Sequence, residues 1–337
     1  MIERVRETAI TEAMTEDLIH KFISSLDVFD SSKQTYQKEL KVYFNWLDSE
    51  GLLDKMQTLQ REDILRYKDY LKESKSSHTI SGCMTVVRQF YSWLESERIY
   101  PNIAKSVKGA KKTRGYKKDC LTVSQIKNSL NNIDKATVEG KRDYALFNLL
   151  VRTGLRTIEV SRALIGDIRQ ETGEAVLWIQ GKGREDKDDF VLLTEETLSP
   201  IHDYLNARQK AAKERGDKLR EKMTEEDKKK TTVDTEEDAH KEDSPLFASL
   251  SDRNYGEALS TRSISRIVKN ILIDSGLNSK RLSAHSLRHT AVTLALKGGA
   301  SLQQAQAMAR HSSPETTMIY VHNLDRVEHG AEKNIKI

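Results

Sequence analysis

The sequence predicts a mostly α-helical protein with a small β-hairpin, and three observations support that fold class. The first hundred residues carry apolar side chains at helical spacing in four consecutive stretches. One strand–turn–strand pattern spans Glu174 to Thr194, and helical periodicity resumes at Ser263 and runs through most of the remainder. We therefore expect a helical N-terminal domain and a mixed, mainly helical C-terminal domain.

Four amphipathic helices are predicted in residues 1–104, which we treat as one domain. Short polar breaks separate them, as in a small helical bundle. The apolar side chains of these helices are expected to form the core of the bundle rather than a binding surface. Those residues are Leu18, Phe22, Leu26, Tyr36, Leu40, Phe44, Leu47, Ile64, Tyr67, Leu71, Cys83, Val86, Val87, Phe90 and Leu94.

The overall composition excludes several classes of protein. Of the 337 residues, 37% are hydrophobic and 31% charged, which excludes a collagen-like chain or one disordered throughout. No apolar run approaches the roughly 18 residues of a membrane span, and the first residues lack a signal-peptide core. The 2 cysteines are too few for a disulfide framework or a zinc knuckle. We expect a cytoplasmic protein with no membrane partner.

The excess positive charge is concentrated in one short stretch. Residues 1–104 contain 14 Lys or Arg and 17 Asp or Glu, whereas residues 105–118 contain 7 basic residues and no acid. We predict that residues 105–119 are an interdomain linker that crosses a DNA backbone, although such charge runs are often only solvated. The predicted DNA-binding residues are Lys105, Lys108, Lys111, Lys112, Arg114, Lys117 and Lys118.

The C-terminal domain, residues 120–337, is predicted to be helical around a strand pair. A helix over 141–164 breaks at Thr153-Gly154, and strands are expected at 174–180 and 190–194. Residues 208–243 contain 11 basic and 12 acidic residues and cannot build a core. We predict an exposed helical or disordered insertion there, without a chemical role.

Two glycine-marked clusters in this domain could present cations to an anion. Arg156 follows the Gly154 break at a helix start, where its planar fork could hold a phosphate. Lys182 lies between Gly181 and Gly183 in the turn of the hairpin. Taken singly, a surface Arg paired with Glu159 and an ordinary turn lysine would be the more common outcomes.

Two further clusters contain histidine, arginine and tyrosine. His285 and Arg288 are three residues apart, so a helix would place both on one face. His311 precedes a helix that Pro314 opens, and Tyr320 lies about two turns into it. A capped helix with an ordinary buried tyrosine is the alternative for this last cluster.

Taken in order, the four clusters closely resemble the tyrosine recombinase family of phage-integrase and Xer-like enzymes. The resemblance is carried by Thr-Gly-Leu-Arg-x-x-Glu from Thr153, the Gly-Lys-Gly turn, His-x-x-Arg-His from His285, and the spacing of His311 and Tyr320. It spans about residues 120–325. The N-terminal bundle and the basic linker resemble the core-binding domain of that family.

The resemblance implies a mechanism with six catalytic residues. Tyr320 would be the nucleophile that forms a 3′-phosphotyrosyl link, while Arg156 and Arg288 would clamp the phosphate oxygens. Lys182 would protonate the leaving 5′-oxygen, His285 would help accept the tyrosine proton, and His311 would bind the phosphate. The link conserves the phosphodiester energy, so neither a metal nor another cofactor is implied.

The sequence departs from the family pattern at two places. Ala309-Arg310 stands before His311, where the family usually has Leu-Gly, so a bulky cation replaces the glycine. The turn after Lys182 continues as Glu185-Asp186-Lys187-Asp188-Asp189, where relatives often carry further basic residues. We expect the enzyme to be active, because all six catalytic residue types are present.

The family resemblance predicts a site-specific recombinase that passes through a Holliday junction. Its partners would be double-stranded DNA with short inverted-repeat core sites, three further copies in a tetrameric synapse, and an accessory directionality factor. Integration or excision of a mobile element is the expected role, and Xer-type resolution of chromosome or plasmid dimers is the alternative. A type IB topoisomerase fits the hairpin and the bundle less well. A non-catalytic architectural DNA-binding protein is the alternative from another class.

Overall fold

A computed structural model describes residues 12–111, 119–181, 183–221, 241–328 and 335. By its internal contacts the chain divides into two compact units, Met1–Arg114 and Gly115–Ile337. Each unit has its own hydrophobic core.

Residues 12–111 of the N-terminal unit contain four α-helices, as the apolar spacing predicted. They are α1 (Glu12–Ser25), α2 (Asp30–Ser49), α3 (Arg61–Ser74) and α4 (Ser77–Ser96), with one short 3-10 turn at Met56–Thr58. The Ser76 hydroxyl accepts a hydrogen bond from the Thr79 backbone N–H and so satisfies one of the free donors at the start of α4.

Aromatic side chains fill the core of this unit. The rings of Phe22 and Phe90 meet edge to face with centroids 5.5 Å apart, and those of Tyr43 and Tyr67 lie 4.8 Å apart. The Tyr43 and Tyr91 hydroxyls are hydrogen-bonded to each other at 2.9 Å. That bond gives each buried hydroxyl a partner without water.

The beginning of the predicted linker packs on this core. Ala104 and Val107 are buried among the residues of the bundle. Lys68 Nζ donates to the Lys108 carbonyl at 2.7 Å, and Arg88 Nη1 donates to the Val107 carbonyl at 3.0 Å. The chain from 104 to 111 is therefore held against the bundle, whereas the sequence predicted a linker from residue 105. Residues 112–118 of the predicted linker, which include Lys112, Arg114, Lys117 and Lys118, lie outside the described residues.

The C-terminal unit surrounds one buried helix. Helices α5 (Val123–Asn131), α6 (Val138–Thr153) and α7 (Thr157–Arg162) come first, and α6 is packed against later helices on more than one side. A 3-10 turn at Ile165–Asp167 leads into the sheet, and a second one spans Asp252–Asn254.

The sheet has three antiparallel strands in the order β1 (Ile168–Glu171), β2 (Glu174–Ile179) and β3 (Asp189–Leu192). Trp178 of β2 lies opposite Phe190 of β3, so the predicted hairpin is present. Strand β1 was not predicted, because its four residues contain one apolar side chain, Ile168, and so show no usable alternation.

Five helices complete the part of the unit that the structure describes. They are α8 (Glu195–Glu221), α9 (Thr261–Asp274), α10 (Ala284–Lys297), α11 (Leu302–Ala309) and α12 (Pro314–Glu328). A small separate cluster of Val292, Ala305, Ala309 and Tyr320 joins α10, α11 and α12. This cluster positions the candidate site.

The charged segment that was predicted to be exposed begins inside α8. Arg208 is 4% exposed and donates to the Pro245 carbonyl at 2.6 Å. Arg215 pairs with Asp252 at 2.7 Å and lies over the Tyr255 ring. The structure therefore differs from the prediction near residue 208, because a long arginine can bury its stem and still satisfy its guanidinium. Residues 222–240 lie outside the described residues.

Within the described parts of the chain, every helix is too short or too polar to cross a lipid bilayer.

Candidate active site

A left-handed turn at Gly154 brings Arg156 to the start of α7. Gly154 ends α6 with φ 64° and ψ 23°, a conformation that favours glycine. A Cβ at this position would lie 3.3 Å from the Cβ of Ala291 on α10, a tight contact, so the close approach of the two helices also favours glycine. Arg156 is about one third exposed and is the residue that immediately precedes the first turn of α7.

A buried carboxylate holds Arg156 at two points. Glu159 is fully buried, and its Oε1 accepts from Arg156 Nη1 at 2.8 Å. Its Oε2 accepts from the Arg156 backbone N–H at 2.7 Å. The pKa of Glu159 lies below its ordinary value because the charge of Arg310 and the bonds from Arg156 outweigh the effect of burial. The carboxylate is therefore ionised at neutral pH.

Arg288 is buried on α10 and reaches two turns of the backbone. Its Nη1 donates to the Gly154 carbonyl at 2.6 Å, and its Nη2 donates to the Ala309 carbonyl. Burial, followed by the nearby charges of Arg156 and Arg310, lowers its pKa to about 10. The guanidinium remains charged at neutral pH, in a position fixed by both carbonyls.

Arg310 adds a third guanidinium to the site. In the sequence, this residue stood out only as a departure from the Leu-Gly pattern of the family. It ends α11 in the left-handed conformation with φ 52° and ψ 50°. Its Nη2 donates to Glu159 Oε2 at 2.8 Å, and its Nη1 donates to the Met308 carbonyl at 2.5 Å. Its own carbonyl accepts from Arg156 Nη2 at 3.4 Å. Arg310 therefore contacts Arg156 directly and through Glu159.

Tyr320 lies on α12 with its hydroxyl directed into the protein. The residue is 4% exposed, and its hydroxyl is 2.5 Å from His289 Nδ1. Burial, followed by the charges of His285, Arg288 and His311, lowers the pKa of His289 to about 4. A neutral imidazole at this position can accept the tyrosine hydrogen bond at Nδ1.

Two other histidines extend this ring cluster. The His285 and His289 rings meet edge to face at 4.5 Å, and the His311 and Tyr320 rings are stacked at 6.0 Å. His311 Nδ1 is 2.9 Å from the Thr317 hydroxyl. Burial, followed by the charges of Arg288 and Arg156, lowers the pKa of His311 to about 4, so it is neutral at pH 7.

The structure thus brings together five of the six predicted catalytic residues. Arg156 and Arg288 converge on the turns at Gly154 and at Ala309-Arg310. The ring of His289 joins His285 to Tyr320, and the ring of His311 stacks on that of Tyr320. The sixth, Lys182, lies outside the described residues.

In the described part of the turn around Lys182, the acidic side chain of Asp188 is paired with a cation. Arg184 pairs with Asp188 at 2.5 Å, and Lys187 reaches both oxygens of the buried Asp167 at 2.7 Å. The acidic run that the sequence contains at this turn is therefore partly paired within the unit.

His289 is the functional candidate that sequence reasoning missed. It stands in the quoted motif directly after Arg288, and its spacing of four residues from His285 places both rings on one face of α10. That spacing could have predicted their contact. The contact with Tyr320 could not be predicted, because it depends on how α12 packs against α10.

The chemistry available to this arrangement is anion binding beside a phenol. Three guanidinium groups and one carboxylate leave an excess of two positive charges next to Tyr320 and its neutral histidines. Such a cluster suits a phosphate group and a transition state on which negative charge develops.

Comparison with protein families identifies two matching models. Residues 119–326 match the phage integrase family, and residues 19–98 match the phage integrase N-terminal SAM-like domain. Together the two models cover both units of the chain.

Curated relatives match along most of the chain. Tyrosine recombinase XerD of Listeria innocua is 24% identical over 311 residues, which cover 92% of this chain and 93% of the relative. Tyrosine recombinase XerC of Caldanaerobacter subterraneus is 28% identical over 275 residues, or 80% of this chain and 67% of the relative.

Solved structures share the fold at low sequence identity. The XerH recombinase in a post-cleavage complex with its palindromic difH substrate superimposes with a TM-score of 0.68 at 18% identity. That match covers 94% of this chain and 84% of XerH. A lambda integrase tetramer bound to a Holliday junction gives a TM-score of 0.64 at 16% identity, over 94% of this chain and 79% of the integrase.

Proposed function

The chain belongs to the phage integrase family of DNA-cleaving and rejoining tyrosine recombinases, and from that premise we propose that it recombines DNA at specific sites with Tyr320 as the nucleophile. The observation that carries the proposal is the convergence of Arg156, Arg288 and the histidine cluster on a region that contains a buried tyrosine.

The proposed reaction is a transesterification. The Tyr320 oxygen attacks a DNA phosphorus atom, the bond from phosphorus to the 5′-oxygen breaks, and a 3′-phosphotyrosyl link forms. The tyrosine proton passes to a histidine or to water, and Lys182 supplies a proton to the leaving 5′-oxygen. The reverse attack by a 5′-hydroxyl of the partner duplex rejoins the strands through a Holliday junction. No bond energy is lost, so the reaction needs no nucleotide cofactor.

In this scheme the two arginines stabilise the negative charge that develops on the phosphate in the transition state. Arg156 and Arg288 keep their positions through the carbonyls of Gly154, Ala309 and Arg310 before any DNA binds. Donors that are already oriented need little rearrangement when the phosphate gains charge in the transition state. The preorganised arginine positions therefore support a role in rate rather than only in binding.

Tyr320 must move before it can attack. Its hydroxyl is buried against His289, and a phosphate in a DNA duplex cannot reach a side chain that is 4% exposed. We propose that DNA binding shifts α12 so that the hydroxyl leaves His289 and turns toward the arginines. The small apolar contacts of Tyr320, with Val292, Ala305 and Ala309, suit a helix that can be displaced.

The proposed partners are double-stranded DNA and other copies of the chain. The XerH complex holds a palindromic substrate and the lambda integrase structure is a tetramer on a Holliday junction, which supports inverted-repeat core sites and a tetrameric synapse here. The basic residues 105–118 would cross the phosphate backbone. An accessory directionality factor remains part of the proposal.

The role in the cell has two candidates. Integration or excision of a mobile element is the one that the sequence led us to predict. Resolution of chromosome or plasmid dimers is favoured by the match to XerD along 93% of that relative. Recombination assays with DNA that flanks the gene and with DNA from the replication terminus separate them, because each role requires its sites in a different place.

A nicked duplex tests the proposed chemistry. Footprinting of the DNA that flanks the gene supplies the core site, and a nick beside the cleavage position releases the 5′-hydroxyl fragment and so traps the covalent complex. We expect a denaturation-resistant protein–DNA adduct with the natural chain. Tyr320→Phe should bind the same duplex and give no adduct.

The matched control is Tyr255→Phe, which removes a hydroxyl from a tyrosine of the same unit that is far from α12 in sequence. Adduct formation by Tyr320→Phe would reject the nucleophile. A natural chain that binds the site tightly and never forms an adduct would instead indicate an architectural DNA-binding protein.

A further inference from the structure

Arg310 stands at a backbone position that would favour glycine. Its φ of 52° is left-handed, a conformation that costs a non-glycine residue roughly 1 kcal/mol. Its side chain is 7% exposed, and its buried Nε has no hydrogen-bond partner among the described residues. Both features are unfavourable, so the residue must gain stability or function from the contacts of its other two nitrogens.

Those contacts link Arg310 to the carboxylate that holds Arg156. Glu159 is fully buried and accepts from Arg156 with both oxygens, while Arg310 Nη2 adds a third bond, to Oε2. A single carboxylate between two guanidinium groups cannot neutralise both of them. The three side chains together keep one positive charge, which would be absent if Arg156 and Glu159 were alone.

The backbone of the same turn supports both arginines of the proposed clamp. The Ala309 carbonyl accepts from Arg288, and the Arg310 carbonyl accepts from Arg156. Arg310 also lines a cavity of about 420 Å³ with Arg156, Ser312 and Gly181 of the turn that carries Lys182. The same cavity is also lined by Arg184 and by the carboxylates of Glu159, Asp188 and Asp189, so Arg310 and Arg156 share one polar cavity.

We propose that Arg310 is a positioning residue that offsets the charge of Glu159 and thereby leaves the positive charge of Arg156 available to a DNA phosphate. This inference rests on the proposed function of Arg156. Glu159 without Arg310 would keep Arg156 in place but would cancel its charge. With Arg310 present, the carboxylate fixes the geometry of Arg156 and its charge is balanced from the other side.

The test compares three substitutions at this position by the rate of covalent-complex formation on the nicked duplex under single-turnover conditions. Arg310→Met keeps an unbranched side chain but removes the guanidinium and its charge, and it should slow the reaction about tenfold, less than the roughly 10²-fold for loss of a direct donor. Arg310→Lys should recover most of the natural rate, because an ammonium group can reach Glu159 Oε2. DNA affinity should change much less than the rate.

Arg310→Gly separates the side chain from the shape of the turn. Glycine adopts the left-handed conformation without strain, so a residue that only ended α11 would be replaced at no loss of rate. We expect Arg310→Gly to be as slow as Arg310→Met. The matched control is Arg98→Gly, which makes the same change at an exposed residue with φ 57° in the N-terminal unit and should cleave normally.

A second substitution tests the charge argument itself. In an Arg310→Met background, Glu159→Gln removes the charge that Arg310 was inferred to offset, so the double variant should react faster than Arg310→Met alone. The inference would be overturned if Arg310→Gly reacted at the wild-type rate. It would also be overturned if the variant with both Arg310→Met and Glu159→Gln were no faster than Arg310→Met alone. Failure of the proposed clamp would appear separately, as a natural rate for Arg156→Ala.

Discussion

The two units of the chain bury different kinds of side chain. In the N-terminal unit the buried residues are mostly aromatic or aliphatic, and its buried tyrosines Tyr43 and Tyr91 satisfy one another. In the C-terminal unit the buried set includes the ionised or ionisable groups Glu159, Arg288 and His289. Burial of charge costs stability unless each group is paired, so it indicates a requirement other than folding. The comparison assigns chemistry to the C-terminal unit and packing to the N-terminal one.

The largest expected effect is at the charged groups of the C-terminal unit. Arg156→Ala and Arg288→Ala should each slow covalent-complex formation by roughly 10²-fold or more, because each removes a cation that the proposed clamp assigns to the phosphate. Lysine at either position should rescue poorly, since a point charge cannot reproduce two parallel hydrogen bonds. Arg253→Ala, at an exposed arginine of the same unit, is the control. Natural rates for both lysine variants would contradict the clamp.

The sequence predicted the fold of the N-terminal unit better than the contacts within the candidate site of the C-terminal unit. Helices of the N-terminal unit have one apolar face each, and periodicity is a direct consequence of that burial. Strand β1 was not predicted, because its residues show no alternation of apolar and polar side chains. The packing of α8 at Arg208 was not predicted, because the sequence from there on is highly charged and shows no apolar periodicity. Resemblance to a family supplied the six catalytic residue types. The contacts of His289 with Tyr320 and of Arg310 with Glu159 depend on which helices and turns meet in space, and no spacing in the sequence reports that.

A smaller effect is expected at His289. A catalytic base contributes about 10²-fold or more, but a histidine whose pKa is lowered to about 4 is a weak base at pH 7. We therefore expect His289→Phe to change the rate of covalent-complex formation by less than about tenfold, because its role is to hold Tyr320. His289→Asn, which offers an acceptor near the position of Nδ1, should lie closer to the natural rate. A hundredfold lower rate of covalent-complex formation in His289→Phe would instead indicate that His289 is the catalytic base.

Mild acid should lower the stability of the C-terminal unit more than that of the N-terminal unit. His289 and His311 have a pKa of about 4 in the folded C-terminal unit and 6.5 when unfolded. The unfolded state therefore binds more protons between these values, so these histidines leave stability unchanged above pH 6.5 and destabilise the folded unit as the pH falls toward 4. The described histidines of the N-terminal unit, His20 and His78, are exposed.

Thermal unfolding at about pH 7.5 and about pH 5 measures that difference. The variant Trp178→Phe leaves Trp46 and Trp93, so its fluorescence reports the N-terminal unit, while circular dichroism follows both units. We expect the C-terminal transition to move to lower temperature in acid more than the N-terminal one. His289→Asn should reduce that shift. Equal shifts of the two transitions would show that these histidines do not set the acid stability.

The smallest effect is expected where the chain leaves the N-terminal unit. Lys108 and Lys111 are exposed, and the packing of this stretch uses the Lys108 carbonyl rather than its ammonium group. Replacement of both lysines by glutamine should therefore preserve folding, weaken binding to all DNA sequences alike and reduce the salt dependence of the affinity by about 0.9 for each lost phosphate contact. The control is the pair Lys21 and Lys72, whose charges are already paired with Asp17 and Asp69. An unchanged salt dependence in the variant of Lys108 and Lys111 would mean that these two charges are only solvated.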